Sequence, residues 1–103
     1  MIQLFVYVPE SHLERVKLAM FSAGAGRSER YEQCAWQTIG DGQFMPLESS
    51  KPYTGNPNEV TYVKEYKLEM ICNETNLAAV IGAMKQAHPY EEPAYGALTF
   101  MRV

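Results

Sequence analysis

The chain has 103 residues, 47% apolar and 20% charged, with a net charge of -3 and a pI near 5.3. That length carries one domain around one core, and the balance is that of an ordinary globular protein rather than a disordered or disulfide-built one. Nine Lys and Arg residues spread along the chain, with no RNA or DNA motif, argue against nucleic acid as the main partner.

The apolar run from Ile2 to Val8 is too short for a signal or membrane segment, so a cytoplasmic location without membrane contact is the default expectation. Its alternation predicts a strand with Ile2, Leu4, Val6 and Val8 on an aliphatic face and Gln3, Phe5 and Tyr7 on a mixed one. Pro9 and Glu10 break it. Ser11 and Glu14 have capping-box spacing, and Leu13, Val16, Met20 and Ala23 recur at helical spacing until Gly24 and Gly26 end the helix. Tyr31 to Ile39 reads as a second strand with Cys34, Trp36 and Thr38 on one face.

From Gly40 to about Glu59 no period is sustained. A compact domain seldom keeps so long a structureless segment without a use, so this stretch is a functional loop, a short hairpin or an oligomer contact. The third strand runs from Val60 to Ile71, with Tyr62, Tyr66, Leu68 and Met70 on one face and Val63, Glu65, Lys67 and Glu69 on the other. Asn73 or Thr75 caps a second helix with an apolar stripe of Leu77, Val80, Ile81 and Met84. Tyr95 to Met101 is the fourth strand. Cys34 and Cys72 form no C-x-x-C pair and read as packed thiols.

The two halves repeat. A constant offset of 64 matches Leu4 with Leu68, Leu13 with Leu77, Val16 with Val80, Met20 with Met84 and Tyr31 with Tyr95. The pattern is β-α-β twice, which predicts an α+β ferredoxin-like, split βαβ fold in the order βαββαβ. In that plan the start of the first helix, the loop after the second strand and the segment after the second helix lie at one end of the sheet. Glu10, His12, the 40–59 loop and His88, Glu91 and Glu92 then meet there. Hairpin register places Cys72 several residues beyond the position opposite Cys34, too far for a disulfide.

The densest chemistry lies in His88-Pro89-Tyr90-Glu91-Glu92-Pro93-Ala94-Tyr95, where a helical pattern stops and a strand begins. Residues before proline are pushed out of the α region, so His88 and Glu92 are expected to be extended. One reading is a stiff elbow whose prolines stop a helix, whose tyrosines pack and whose carboxylates are solvated. The other is a small ligand or cation site, in which His88, Glu91, Glu92 and His12 are the metal-ligand candidates. Neighbours in an extended segment point oppositely, so Glu91 and Glu92 are not expected to face one ion within a single chain.

Gly24-Ala25-Gly26, Tyr31-x-x-Cys34-x-Trp36, Gly40-x-Gly42-x-Phe44-x-Pro46, Pro52-x-x-Gly55, Val63-x-Glu65 and the His88 to Tyr95 octet together resemble one family over essentially the whole chain. It is the PII/CutA-like domain inserted in the dinuclear-metal hexameric proteins labelled GTP cyclohydrolase type-2-like, also found alone as YqfO-type proteins. The resemblance implies a PII/CutA-like fold that assembles into a homo-oligomer, a trimer ahead of a dimer. It carries no reaction, because the metals of the longer proteins sit in a flanking domain. Ser28-Glu29-Arg30 and Gly96-Ala97 depart from the family pattern.

Three functions compete. The first is a non-catalytic oligomeric module sensing a small anion, a nucleotide or a divalent metal, the last being the cofactor expectation. Its ligand or interface candidates are His88, Tyr90, Glu91, Glu92, Tyr95, Gly40, Gly42, Phe44 and Glu10. The second is a structural oligomerisation protein that meets protein partners, its sheet edges sealed by neighbours and the His88 to Tyr95 octet serving as the interface clasp. The third, ranked last, is an enzyme, for which Cys34, His88 and Glu65 are only scattered candidates.

Overall fold

The computed structural model describes all residues from Met1 to Val103. Strand β1 (Ile2–Pro9) leads through a single 3-10 turn, Glu10–His12, into helix α1 (Leu13–Ser22). Strands β2 (Trp36–Phe44) and β3 (Thr61–Cys72) follow. A second 3-10 turn, Glu74–Asn76, opens helix α2 (Leu77–Ala87), and β4 (Tyr95–Thr99) closes the sheet. The strand order is β2-β3-β1-β4 and every neighbouring pair is antiparallel, which is the ferredoxin-like plan.

The alternation in β1 and β3 sets the layers. Ile2, Leu4 and Val6 lie opposite Cys72, Met70 and Leu68. All six are buried, together with Val16 and Met20 of α1 and Val80 and Met84 of α2, so both helices cover one face of the sheet. The repeat is physical here: Val16 and Val80 are both fully buried, and Met20 and Met84 are 2% exposed each. Neither helix carries the expected side-chain cap. Instead a 3-10 turn precedes each, and the Ser11 hydroxyl bonds its neighbour His12 at Nδ1, 2.8 Å away, rather than the helix end. Helix α1 does end at the glycines: Gly24 takes φ 114°, and the Ala25 N–H donates back to the Met20 carbonyl at 3.1 Å.

The repeat fails after that turn. Gly26 N–H takes the Ile71 carbonyl at 2.8 Å, and the Cys34 N–H in turn takes the Gly26 carbonyl at 2.8 Å. The sheet edge beside Ile71 is thus occupied, Gln33 turns at φ 58°, and β2 begins at Trp36 rather than Tyr31. Both cysteines are free thiols. The expected offset between them is corrected: β2 continued in register (Trp36 opposite Glu69) would set Cys34 opposite Ile71, one residue from Cys72, but the chain has left that register before Cys34. Cys72 itself sits in the helix-side core.

Strand β2 also runs further than the sequence indicates. Gly40 to Phe44 continue the ladder, with Gly40 opposite Glu65 and Phe44 opposite Thr61, so the irregular connection is 45–60, not 40–59. Because β1 stops pairing at Pro9 opposite Glu65, the first four residues of β3 and the end of β2 overhang the sheet. The molecule is accordingly elongated, 46 Å by 23 Å by 23 Å. On the face away from the helices, Phe5 lies over Gly96, where a Cβ would collide with its ring. This accounts for the glycine that departs from the family pattern.

Candidate functional site

The overhang, the 45–60 connection and the octet after α2 close around a cleft of about 600 Å³. That volume suits a small-molecule ligand. Its floor is Tyr7 of β1, Gly42 and Phe44 of β2, and Glu65 of β3; Pro46 and Tyr53 come from the connection, and Tyr90, Glu91 and Glu92 from the octet. No helix in the chain is long and apolar enough to cross a membrane.

His88 fixes the octet. As Pro89 requires, it is extended, with φ -79° and ψ 138°. Its Nδ1 accepts from the Tyr90 N–H at 3.1 Å, so the proton belongs on Nε2, which donates to the Tyr7 carbonyl at 2.8 Å. The ring is 7% exposed. Burial lowers its pKa, opposed by the Tyr7 carbonyl and assisted by nearby His12. With both nitrogens engaged, His88 has no lone pair for a metal: it is a strut joining the octet to β1, and its place among metal ligands is corrected.

Glu91 and Glu92 differ from expectation for a related reason. The chain bends at these two residues, and both line the cleft. A Glu91 oxygen accepts the Lys51 N–H at 2.8 Å, tying the connection to the octet. The connection is further held by the Asn58 N–H on the Pro46 carbonyl at 2.7 Å and by Ser50 on the Leu47 carbonyl.

Tyr90 is the centre of the site. Its ring stands 6.0 Å from Phe44, 6.3 Å from Tyr53 and 5.0 Å from His88, and Tyr53 meets His12 edge-on at 5.5 Å. The Tyr90 Oη is buried without a hydrogen-bond partner. Burial pushes its pKa strongly upward, followed by hydrogen bonding to the Glu65 carboxylate, that carboxylate's charge and then Tyr53. Glu65 thus stands beside the phenol as the acceptor its O–H faces, while no donor reaches the phenol oxygen. Gly42 makes room for that carboxylate, since a Cβ there would occupy the position of the Glu65 oxygens.

Of the candidates read from sequence, Tyr90, Glu91, Glu92, Gly42 and Phe44 line the cleft, and His12 reaches its rim through Tyr53. Gly40 stands in open space on the strand, Glu10 is exposed in its turn, and Tyr95 lies under the Lys85 ammonium on the other side of the octet. These three are not in the cleft. Tyr7 and Tyr53 are in it and were missed, and Glu65, considered only as a scattered catalytic candidate, is in it as well. Glu65 had a signal, its pairing with a glycine-bearing strand, whereas Tyr7 and Tyr53 had none beyond their residue type. Within one chain no three His, Cys, Asp or Glu side chains converge as a metal site, so His12, His88, Glu91 and Glu92 do not form one.

No family model matches the chain. It is 43% identical over 93 residues to the GTP cyclohydrolase 1 type 2 homolog of Bacillus subtilis, covering 90% of this chain and 25% of that protein. The protein of the same name from Mycobacterium leprae is 42% identical over 90 residues, covering 87% and 23%. Among solved structures, a Bacillus cereus protein related to NIF3 superposes with a TM-score of 0.80 at 35% identity, over 93% of this chain and 24% of that one. The PII-like protein CutA from Nostoc superposes at 0.68 and 17% identity, over 97% and 81%, a likeness of fold alone. The chain thus has a PII/CutA-like fold and spans about a quarter of the length of the curated relatives it matches, which are named GTP cyclohydrolase 1 type 2 homologs.

Proposed function

We propose that the protein is a non-catalytic, oligomeric ligand-sensing module whose ligand enters the cleft beneath Tyr90. One observation carries this reading: three segments distant in sequence converge on a cleft whose central phenol is buried with an unsatisfied oxygen. A buried polar atom without a partner is destabilising unless something completes its bonding. The catalytic part of the relatives' name is no part of this reading: of the three catalytic candidates His88 is fully bonded, Cys34 lies outside the cleft, and Glu65 stands in the cleft with neither of them lining it.

The test is a thermal melt of the purified protein against divalent metals, nucleotides, inorganic anions and small amines, with Phe44→Ala as the cleft control. A ligand at a hundred times its Kd raises stability by about 2.7 kcal/mol, or roughly 10 °C in Tm for a chain of this size. A rise for one class, reduced in the Phe44 variant, is expected; no rise for any class would remove the sensing reading.

A second reading, a structural oligomerisation protein, is favoured by the sheet face away from the helices. It leaves Trp36 69% and Leu98 59% exposed, flanked by Phe5 and Tyr7, and neither edge strand, β2 or β4, is covered. Large exposed apolar side chains on one flat face are the residues that interfaces bury. Homo-oligomerisation through that face, as a trimer, is common to both readings.

A further inference from the structure

We propose that the ligand class of this cleft is an N–H-bearing organic cation, a protonated amine or guanidine, an inference that rests on the cleft being a ligand site. Three carboxylates line it, Glu65, Glu91 and Glu92, and no lysine or arginine does. None of the three is in an ion pair, since the four salt bridges of the chain involve Glu14, Glu32, Asp41 and Glu69. Lys85 of α2 holds its ammonium 5.2 Å from the Tyr95 ring centre, in an adjoining recess that Tyr90, Glu91 and Glu92 also border, and pairs with neither glutamate. A concave wall carrying one sign of charge concentrates the opposite sign and repels phosphate and other anions.

The shape then separates organic from inorganic cations. A bare divalent ion needs several ligand atoms on one point, and no three acidic, histidine or cysteine side chains converge here. An alkylammonium or guanidinium needs less: one carboxylate as counter-ion and aromatic faces for its positive edge and its methylenes. Phe44, Tyr53 and Tyr90 supply those faces, with ring centres 6.0 and 6.3 Å apart around Tyr90.

The Tyr90 Oη, buried beside the Glu65 carboxylate with no donor bonded to it, points to the same chemistry. With the Glu65 carboxylate beside it, an incoming N–H can donate to the phenol oxygen while its charge is balanced by Glu65. Gly42 keeps the Glu65 carboxylate across the strand, where a larger residue would displace it. A quaternary ammonium meets the rings but has no N–H for the phenol, so it is the discriminating comparator.

The experiment is isothermal titration calorimetry of the full chain with putrescine and with agmatine, alongside tetramethylammonium, manganese chloride and ATP. Putrescine or agmatine should bind with one site per chain, and tetramethylammonium about tenfold more weakly. Glu65→Gln should weaken the amine by about tenfold or more and Tyr90→Phe by a smaller factor, with circular dichroism confirming that both variants fold. Glu91→Gln gives a second carboxylate test that keeps an acceptor for Lys51. Binding of manganese or ATP without the amines would overturn the organic-cation inference and leave the cleft as a ligand site. Amine binding unchanged in Glu65→Gln would also overturn it. No heat from any probe would count against the inference and the sensing reading together.

Discussion

His88 shows how one residue can look like chemistry and act as structure. An imidazole between a helix and two glutamates invites a metal reading, yet its two nitrogens close a chain from Tyr90 through the ring to the Tyr7 carbonyl. Replacing it by Phe leaves that carbonyl and that N–H unpaired, with an expected loss of about 2 kcal/mol in urea melts. The pH dependence has a definite sign. Its folded pKa lies below the usual 6.5, so the unfolded chain takes up the proton first as pH falls. Stability from this group is present above about 6.5 and is lost as pH drops through the folded value, which melts at stepped pH will record, with the slope reduced in the Phe variant. Gly42 is the opposite case. Ala at that position meets the end of a flexible glutamate, so stability should change by less than about 1 kcal/mol while the Glu65 carboxylate swings away. Ligand affinity, read by the same melts with and without ligand, should fall more than stability does.

At the scale of elements, the 45–60 connection is held to the octet by the bond from the Lys51 N–H to Glu91. Hydrogen exchange should show the Lys51 amide opening about tenfold faster in Glu91→Ala, since a bond to an ionised acceptor contributes on the order of 1.5 kcal/mol. Unchanged exchange would mean the connection is held by its own turns. The strands and helices were legible because their signals are local: period two in Ile2 to Val8, helical spacing from Leu13 to Met20 and again from Leu77 to Met84. The start of β2 was not legible, since it depends on Gly26 taking the Ile71 carbonyl, a contact between residues far apart in the chain. The cleft was half legible. The octet announced itself by composition, but Glu65 read as one carboxylate among alternating charges, and the bend that brings both Glu91 and Glu92 to the cleft has no signal in the residues themselves. Long-range packing decided these points, and no window of sequence contains it.

For the whole molecule, a sheet covered by helices on one face only leaves Trp36, Leu98 and Tyr7 exposed on the other. The proposed assembly through that face would bury Trp36 and Leu98, and Tyr7, which also forms part of the cleft floor, sets the cleft beside that interface. Leu98→Lys puts a charge on the proposed interface without touching the core, so it should yield a folded chain of reduced mass by light scattering; an unchanged oligomer would place the interface elsewhere. Native mass spectrometry reads assembly and cleft in one spectrum, with putrescine, manganese and ATP offered in turn to the wild type and to Glu65→Gln. Three chains carrying one small molecule each, with the adduct lost in the variant, are predicted. A monomer, or an oligomer that takes up none of the three, would contradict the account.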